Sequence, residues 1–413
     1  MPARRRKPNK HHTVPRQERY VSPKTKWGIA LSALGVILVG ALVVGFVQGW
    51  IQLPEWPRAE APETIPTEPK DDVVIHITAG GDVNITDKVV ASGGSSYDYS
   101  DVFLDVLPVF SGSDLTLANF EGNVCGEPYG SEMVSAPTQL LQALRKAGVD
   151  VLQTANSQSV SNGLLGLTAT ANAIRSAGMQ SLGTYADEDD FKKYNGYLLY
   201  EINGIKIALV AFTKGMDGRS LPEGSESCVN LLYTDYGSTY KSINEDGITK
   251  VLKAAAAEEP DITIAMLHWG SEYNDQINTT QKKICTLMQG LGVDAIIGTH
   301  PHYVQGIGFD EETGLFIAYS LGDLLGDAEI SGTDYAVLLD LEITKDGGTG
   351  KTSITAYEYI PIYLHYDEDG SLRLLRIREA MAAYENDYIG KVSSEVYSAM
   401  KSALSRIEYR VSG

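Results

Sequence analysis

Two apolar runs in this chain each end in histidine. One reads I-T-I-A-M-L-H-W-G over 262–270, the other A-I-I-G-T-H-P-H over 295–302. They set His268, His300 and His302, three of the chain's seven histidines, at the carboxyl ends of predicted strands. Carboxylates and amides recur at comparable points. Asp82 follows T-A-G-G, with Asn84 beyond it; Asn119 and Glu121 lie in A-N-F-E-G; Asn156 follows a short strand; Asp323 ends S-L-G-D. Carboxylate oxygen combined with imidazole nitrogen suits Mn, Fe or Zn, as one ion or two. Each residue alone has an ordinary explanation, the aspartate as a turn former and the histidine as a satisfied hydrogen-bonder. Their convergence on one edge is what points to a metal site. His300 and His302 flank Pro301. Proline favours extended backbone before it, and residues two apart on extended chain share a face. The pair is therefore expected to present both rings to one side through extended backbone. Trp269 is placed to wall the site. Gly80, Gly81, Gly122, Gly270, Gly298 and Gly322 stand beside these groups and permit sharp turns.

The elements that must position these residues follow a strand–helix rhythm. Predicted helices end at Ala147-Gly148, Ala177-Gly178 and Leu291-Gly292, each glycine suiting a helix C-terminus and each followed at once by a strand. That is the pattern of a largely parallel sheet, whose carboxyl edge is where ligands bind. Strands are expected at 73–77, 115–118, 149–153, 262–267, 293–297 and 315–319, with a helix over 102–110. Asn203-Gly204 between apolar runs signals a two-residue hairpin. An irregular stretch, 214–240, is expected over the site edge. Residues 335–345 and 351–364 read as long antiparallel partners. The expectation is a layered α/β domain with mixed sheets over 73–370 and a helical extension over 371–413.

Charge divides the chain. Residues 1–26 hold nine Lys/Arg against Glu18 alone, leaving 25 basic and 52 acidic residues elsewhere. The acidic body lacks the footprint that nucleic acid needs, so nucleic acid is not expected as a partner. Residues 27–50 carry no charge and have Trp27 and Trp50 at their ends. At 1.5 Å per residue they reach about 36 Å, enough to cross a bilayer core. The run is too long for a signal-peptide core and lacks a prompt cleavage site. It is read as an uncleaved single-pass anchor, with the basic tail 1–26 cytoplasmic and the body outside the cell membrane. Residues 51–72, with Pro54, Pro57, Pro62, Pro66 and Pro69 among acidic residues, read as a stalk. Cys125, Cys228 and Cys285 share no ligand spacing; a Cys125–Cys228 bridge is chemically open in an oxidising compartment.

Several segments together resemble the capsule-synthesis CapA family, the poly-γ-glutamate synthesis proteins, whose layout is similar to calcineurin-like metallophosphoesterases. They are G-G-D-V at 80–83, A-N-F-E-G at 118–122, A-N at 155–156, H-W-G-S-E-Y at 268–273, Gln281, I-I-G-T-H-P-H-Y-V-Q at 296–305 and Y-S-L-G-D at 319–323. The resemblance covers about 73–325. It implies Asp82, Glu121, His268, His300 and His302 as ligands of a divalent metal, and Glu272 and Asp323 as supporting or substrate-side groups. Asp323 stands where the family usually has asparagine.

One loop departs from the family pattern. After the strand, A-N-N-H-x-x-D-x-G is usual; here Ala155-Asn156-Ser157-Gln158 leads to Ser161 and Gly163. Ser157 replaces an asparagine ligand, Gln158 the proton-donating histidine, and Ser161 its orienting aspartate. Asn156 is the remaining candidate ligand in the loop. Gln158 cannot serve as a general acid because it does not titrate. The resemblance implies a membrane-anchored extracellular component of capsule synthesis, export or attachment, with a reduced metal site and weak or no hydrolysis. Its partners would be poly-γ-glutamate or a related anionic polymer, the membrane and other synthase subunits. The alternatives are an active metallohydrolase cleaving phosphoester or γ-glutamyl bonds, with Glu272 as a replacement proton donor, and a non-capsular phosphoesterase or sensor.

Overall fold

Strands with both faces covered need apolar residues at nearly every position. In the computed structural model, which describes residues 71–412, the strand Ile262–His268 is buried throughout. Its Ile264 and Met266 enter one core, and Ala265 and Leu267 another. Leu117 and Ala118 divide in the same way. This period of two stacks two sheets around a shared core, with helices over each outer face. The tail 1–26, the apolar run 27–50 and nearly all of the stalk lie outside the described residues. Among the described residues no helix is long and apolar enough to cross a membrane.

In chain order the strands are β1 (Val73–Asn84), β2 (Leu115–Glu121), β3 (Val151–Gln153), β4 (Gln180–Leu182), β5 (Tyr197–Ile202), β6 (Ile205–Thr213), β7 (Ile262–His268), β8 (Ala295–Thr299), β9 (Ile307–Phe309), β10 (Phe316–Ala318), β11 (Asp323–Leu325), β12 (Tyr335–Lys345), β13 (Thr352–Tyr366) and β14 (Leu372–Arg376). The first sheet has the order β14-β13-β12-β1-β2-β3-β4, with β11 paired to β1; the second is β5-β6-β7-β8-β10-β9. β1 to β4 run parallel, as do β6, β7, β8 and β10. The remaining strands are antiparallel additions, apart from β11, which is parallel to β1.

Helix α1 (Thr138–Ala147) lays Leu140, Leu141 and Leu144 on the outer face of the first sheet, and α2 (Gly163–Ser176) adds Ile174. Helices α3 (Glu245–Ala256) and α4 (Thr279–Gly290) cover the second sheet with Ile248, Leu252, Ile284 and Met288. The first sheet continues past residue 370 through β14. Helices α5 (Ile377–Glu385) and α6 (Ser394–Val411) follow, and Met400, Ala403 and Ile407 of α6 close the core between the sheets.

Gly148, Gly178 and Gly292 all have positive φ at helix ends, and Asn203-Gly204 closes the β5–β6 hairpin with Ile202 opposite Ile205. Two local expectations are corrected. Residues 102–106 are not helical; the helix there spans only Leu107–Ser111, with Pro108 in its first turn. Proline lacks an N–H and clashes with the carbonyl four residues back, so a helix starts at it but does not run through it. β1 does not stop at residue 77 but continues to Asn84, so Asp82 lies inside the strand. Cys125, Cys228 and Cys285 are all free thiols, Cys125 exposed and the other two buried.

Candidate metal centre

The centre lies on the seam between the two sheets. The first sheet brings the carboxylates: Asp82 on β1, Glu121 at the end of β2 and Asp323 at the start of β11. The second brings the imidazoles: His268 at the end of β7, and His300 and His302 in the turn after β8. Neither sheet alone carries the set. β1 reaches the seam through a bulge, its register with β2 shifting between Ala79 and Asp82. Gly81 permits this, because a Cβ there would lie 1.8 Å from the Gly322 carbonyl oxygen, and the Asp82 N–H donates to that oxygen at 3.0 Å.

Asn119 ties the carboxylates together. Its amide nitrogen donates to Asp82 Oδ1 at 2.5 Å and to Glu121 Oε2 at 3.4 Å. Its oxygen accepts from Asn156 Nδ2 at 3.0 Å. Asn156 also donates to the Phe120 carbonyl, and its own Oδ1 accepts the Gln158 N–H at 3.0 Å. The oxygen that Asn156 would offer a metal is thus turned to the loop backbone. In this arrangement Asn156 positions Asn119 and the 157–161 loop rather than standing among the ligands.

The tautomer of His268 follows from its partners. The Thr213 hydroxyl donates to the Gly215 carbonyl at 2.8 Å, so toward His268 Nδ1, 3.2 Å away, it accepts. The proton therefore sits on Nδ1, and the lone pair of Nε2 faces Glu121 Oε1 at 3.1 Å. Two lone pairs aimed at one point need a proton or a metal between them. His300 Nδ1 is buried and has no hydrogen-bond partner. Its ring lies 4.4 Å from that of His268 and 6.1 Å from that of His302, centroid to centroid.

The two rings of the H-P-H pair do converge, but not through extended backbone. His300 has φ +95° and His302 φ +59°. The His300 N–H donates to Asp82 Oδ2 and the Tyr273 N–H to the Pro301 carbonyl, 3.0 and 2.9 Å. These bonds hold a turn that local proline preference alone would not give. Left-handed conformations in non-glycine residues cost energy and gather at functional sites.

Burial dominates the electrostatics. It holds Asp82 up at about 6, with the charge of Glu121 adding to the effect, and it also raises Glu121. It drives His268 down to about 3 and His300 well below the usual imidazole range. Burial also opposes the charged form of His302. Even so, the charge and hydrogen bond of Asp323, with Glu121 and Asp82 behind them, hold His302 well above its ordinary value. His302 Nδ1 lies 2.8 Å from Asp323 Oδ1 and 3.6 Å from Asp82 Oδ2, and Asn84 Nδ2 donates to the same Asp323 oxygen at 2.9 Å. Burial raises Asp323 itself to about 7.

These residues fit a divalent cation. Three groupings bring one ligand atom from each residue within 4.8 Å of one another: Glu121, His268 and His300; Asp82, Glu121 and His302; and Glu272, His300 and His302. The orphaned nitrogen of His300 and the aimed lone pair of His268 are what such a cation would satisfy. Glu272, the one exposed member, lines cavities of about 240 and 230 Å³ on the two sides of the histidines. Gln158 lines the larger of the two, and its Oε1 accepts from Ser161 Oγ. Trp269 does not wall the site. It is fully buried in the outer core, donates Nε1–H to the Tyr319 carbonyl at 2.9 Å and stacks on that tyrosine.

Sequence reasoning did not find Thr213 and Lys214. Thr213 ends β6 and Lys214 follows it, at the same edge as His268, and their signal was the position of the hairpin's second strand, not a motif. Burial lowers the ammonium pKa of Lys214.

The family described as Bacterial capsule synthesis protein PGA_cap matches residues 76–328. The chain is 26% identical over 350 residues to Capsule biosynthesis protein CapA of Bacillus anthracis, covering 82% of this chain and 75% of that one. It is 25% identical over 316 residues to PGA biosynthesis protein CapA of Bacillus subtilis strain 168, covering 75% and 76%. Among solved structures it is similar to the calcineurin-like phosphoesterase YfkN of Bacillus subtilis, with TM-score 0.43, 16% identity and coverage of 70% and 91%. A second is a putative 5'-nucleotidase of Staphylococcus aureus, with TM-score 0.46, 14% identity and coverage of 72% and 57%.

Proposed function

Because this chain belongs to the bacterial capsule synthesis protein family, we propose that it acts in the synthesis, export or attachment of an anionic capsule polymer of the poly-γ-glutamate kind. Its metal centre serves binding more than rapid hydrolysis. One observation carries this reading. The loop beside Glu121 presents Gln158, oriented by Ser161, and neither side chain can deliver a proton near neutral pH.

Glu121, His268 and His300 would hold a first ion, with Asp82 and His302 beside them. The mixed carboxylate and imidazole set suits Mn, Fe or Zn. A divalent ion there would polarise a bound carbonyl or phosphoryl oxygen and lower the pKa of water. The chain's own residues do the rest. Thr213 fixes the tautomer of His268, Asp323 orients His302, and Asn119 keeps the two carboxylates apart and hydrogen-bonded. Gln158 donates hydrogen bonds to a substrate without supplying a proton. An active hydrolase is the second reading. It is favoured by Glu272, an exposed carboxylate that lines both cavities.

The test is turnover of a γ-linked glutamate oligomer and of p-nitrophenyl phosphate by the full-length metal-loaded protein. Rates near those of the free metal support a binding role. Fast turnover that is lost in His300→Ala contradicts it. The apolar run 27–50 and the basic tail before it support an anchored protein whose domain faces outward and works beside membrane-embedded synthase subunits. Protease added to intact cells should then remove the domain; complete protection would overturn that placement.

A further inference from the structure

We propose that Lys214 is the anion-binding residue of this centre, taking a carboxylate or phosphate oxyanion in the cavity beside His300. The proposal rests on the reading that this edge receives an anionic polymer, and it names the group that makes such reception feasible.

Lys214 directly follows Thr213 at the carboxyl end of β6. Its N–H donates to the His268 carbonyl at 2.8 Å, which fixes its backbone against the centre. Its side chain is half-buried, with Nζ 2.9 Å from the Gly270 carbonyl and 4.7 Å from the centroid of the Tyr240 ring. No carboxylate forms a salt bridge with it among the described residues. An ammonium has three donors. One is used by Gly270, and the side chain lines a cavity of about 230 Å³ together with Ser157, His300 and Glu272. A lysine serving only as a packed stem would carry its charge out to water. This one is held against a ring face and a carbonyl, with no carboxylate among the described residues in direct contact.

The charge around it gives the position meaning. Glu121, Glu272, Asp323 and Asp327 line the cavity on the other side, with no lysine or arginine. Asp217 and Glu272 accompany Lys214 on this side. Among the described residues Lys214 is thus the single lysine or arginine lining either cavity, in a body that is strongly acidic. Beyond the metal and the His302 imidazolium, an anionic chain meets carboxylates along this edge, and Lys214 is the ammonium on which it can set a charged group. The cavity's size suits one carboxylate- or phosphate-bearing unit, not a length of polymer.

Titration calorimetry on the full-length, manganese-loaded protein tests this, with three probes: a γ-linked glutamate tetramer, its analogue with every free carboxylate converted to the amide, and inorganic phosphate. Lys214→Met should weaken tetramer binding about tenfold or more. Lys214→Arg, which keeps the charge, should recover most of it, and manganese content should be equal in all three proteins. The neutral analogue should bind the wild type weakly and show no dependence on residue 214. If phosphate binds with this dependence and the tetramer does not bind at all, the anion site stands and the polymer reading falls. Equal tetramer affinity in Lys214→Met and wild type overturns the proposal. So does an arginine variant no better than methionine, or a wild type that binds neither anion.

Discussion

The amide oxygen of Gln158 accepts a hydrogen bond from the Ser161 hydroxyl at 2.5 Å, on a cavity that also holds Glu121, His302 and Asp323. The loop thus keeps an oriented side-chain pair at positions where the family usually carries histidine and aspartate, but it has lost both the charge and the proton. Restoring them should restore acid catalysis. Gln158→His with Ser161→Asp is expected to raise metal-dependent turnover of p-nitrophenyl phosphate by about 10²-fold or more. Gln158→His alone should give less, because the neutral Ser161 hydroxyl orients the ring and stabilises its charged form less than a carboxylate would. An unchanged rate in the double variant would show that the loop is not what limits hydrolysis.

Thr213 matters to metal binding without being a ligand. Its hydroxyl accepts from His268 Nδ1 and so directs Nε2 toward Glu121. Thr213→Val should weaken metal affinity by about 10- to 100-fold, whereas Thr213→Ser should behave as wild type. Equal affinity in the valine variant would remove the tautomer argument.

Metal affinity should rise with pH. Ligation takes bare carboxylates and neutral imidazoles. Burial holds Asp82 at about 6, so below that value a proton must leave it for each ion bound. His302, held protonated well above the ordinary range, adds a further proton wherever it ligates. His268, down at about 3, is already neutral and contributes no slope. Asp82 alone should therefore make affinity climb by about tenfold per pH unit between roughly pH 5 and 6, more steeply where His302 also ligates, with proton release into a weak buffer. A flat profile across that window would contradict these protonation states.

Asn119 links three buried groups, so its loss should be felt in stability. Asn119→Ala leaves Asp82 Oδ1 and one Asn156 amide proton without their partners. Urea denaturation of the metal-free protein should show a loss of about 2–3 kcal/mol. A change under about 0.5 kcal/mol would mean that water replaces the amide at little cost.

Much of the fold was legible because local chemistry and burial agree. The Asn203-Gly204 turn, the glycines at 148, 178 and 292, and the unbroken apolar run of β7 each report a backbone or two-sided burial requirement that no distant residue overrides. The residues that meet on the seam were legible for a related reason, since strand carboxyl ends carried unlike polar residues where packing alone would place none. What failed depended on long-range contacts. The H-P-H pair follows a turn set by Asp82, more than two hundred residues earlier. Asn156 looked like a ligand until Asn119 and the Gln158 amide claimed its side chain. Trp269 was misplaced for a local reason, since it continues the alternation of Ala265 and Leu267 and joins the outer core with them. Lys214 had no motif, and only the meeting of two sheets shows which cavity it serves.

The central claim is that carboxylates from one sheet and imidazoles from the other form a working metal centre. Its most direct test is the metal content of the purified full-length chain after manganese, iron or zinc loading and desalting. The measurement is made beside His300→Ala/His302→Ala, with circular dichroism to confirm that the double variant is folded. The account predicts about one or two ions per wild-type chain and a loss of most of them in the folded double variant. A wild type that retains no metal, or a double variant that retains as much, would contradict it.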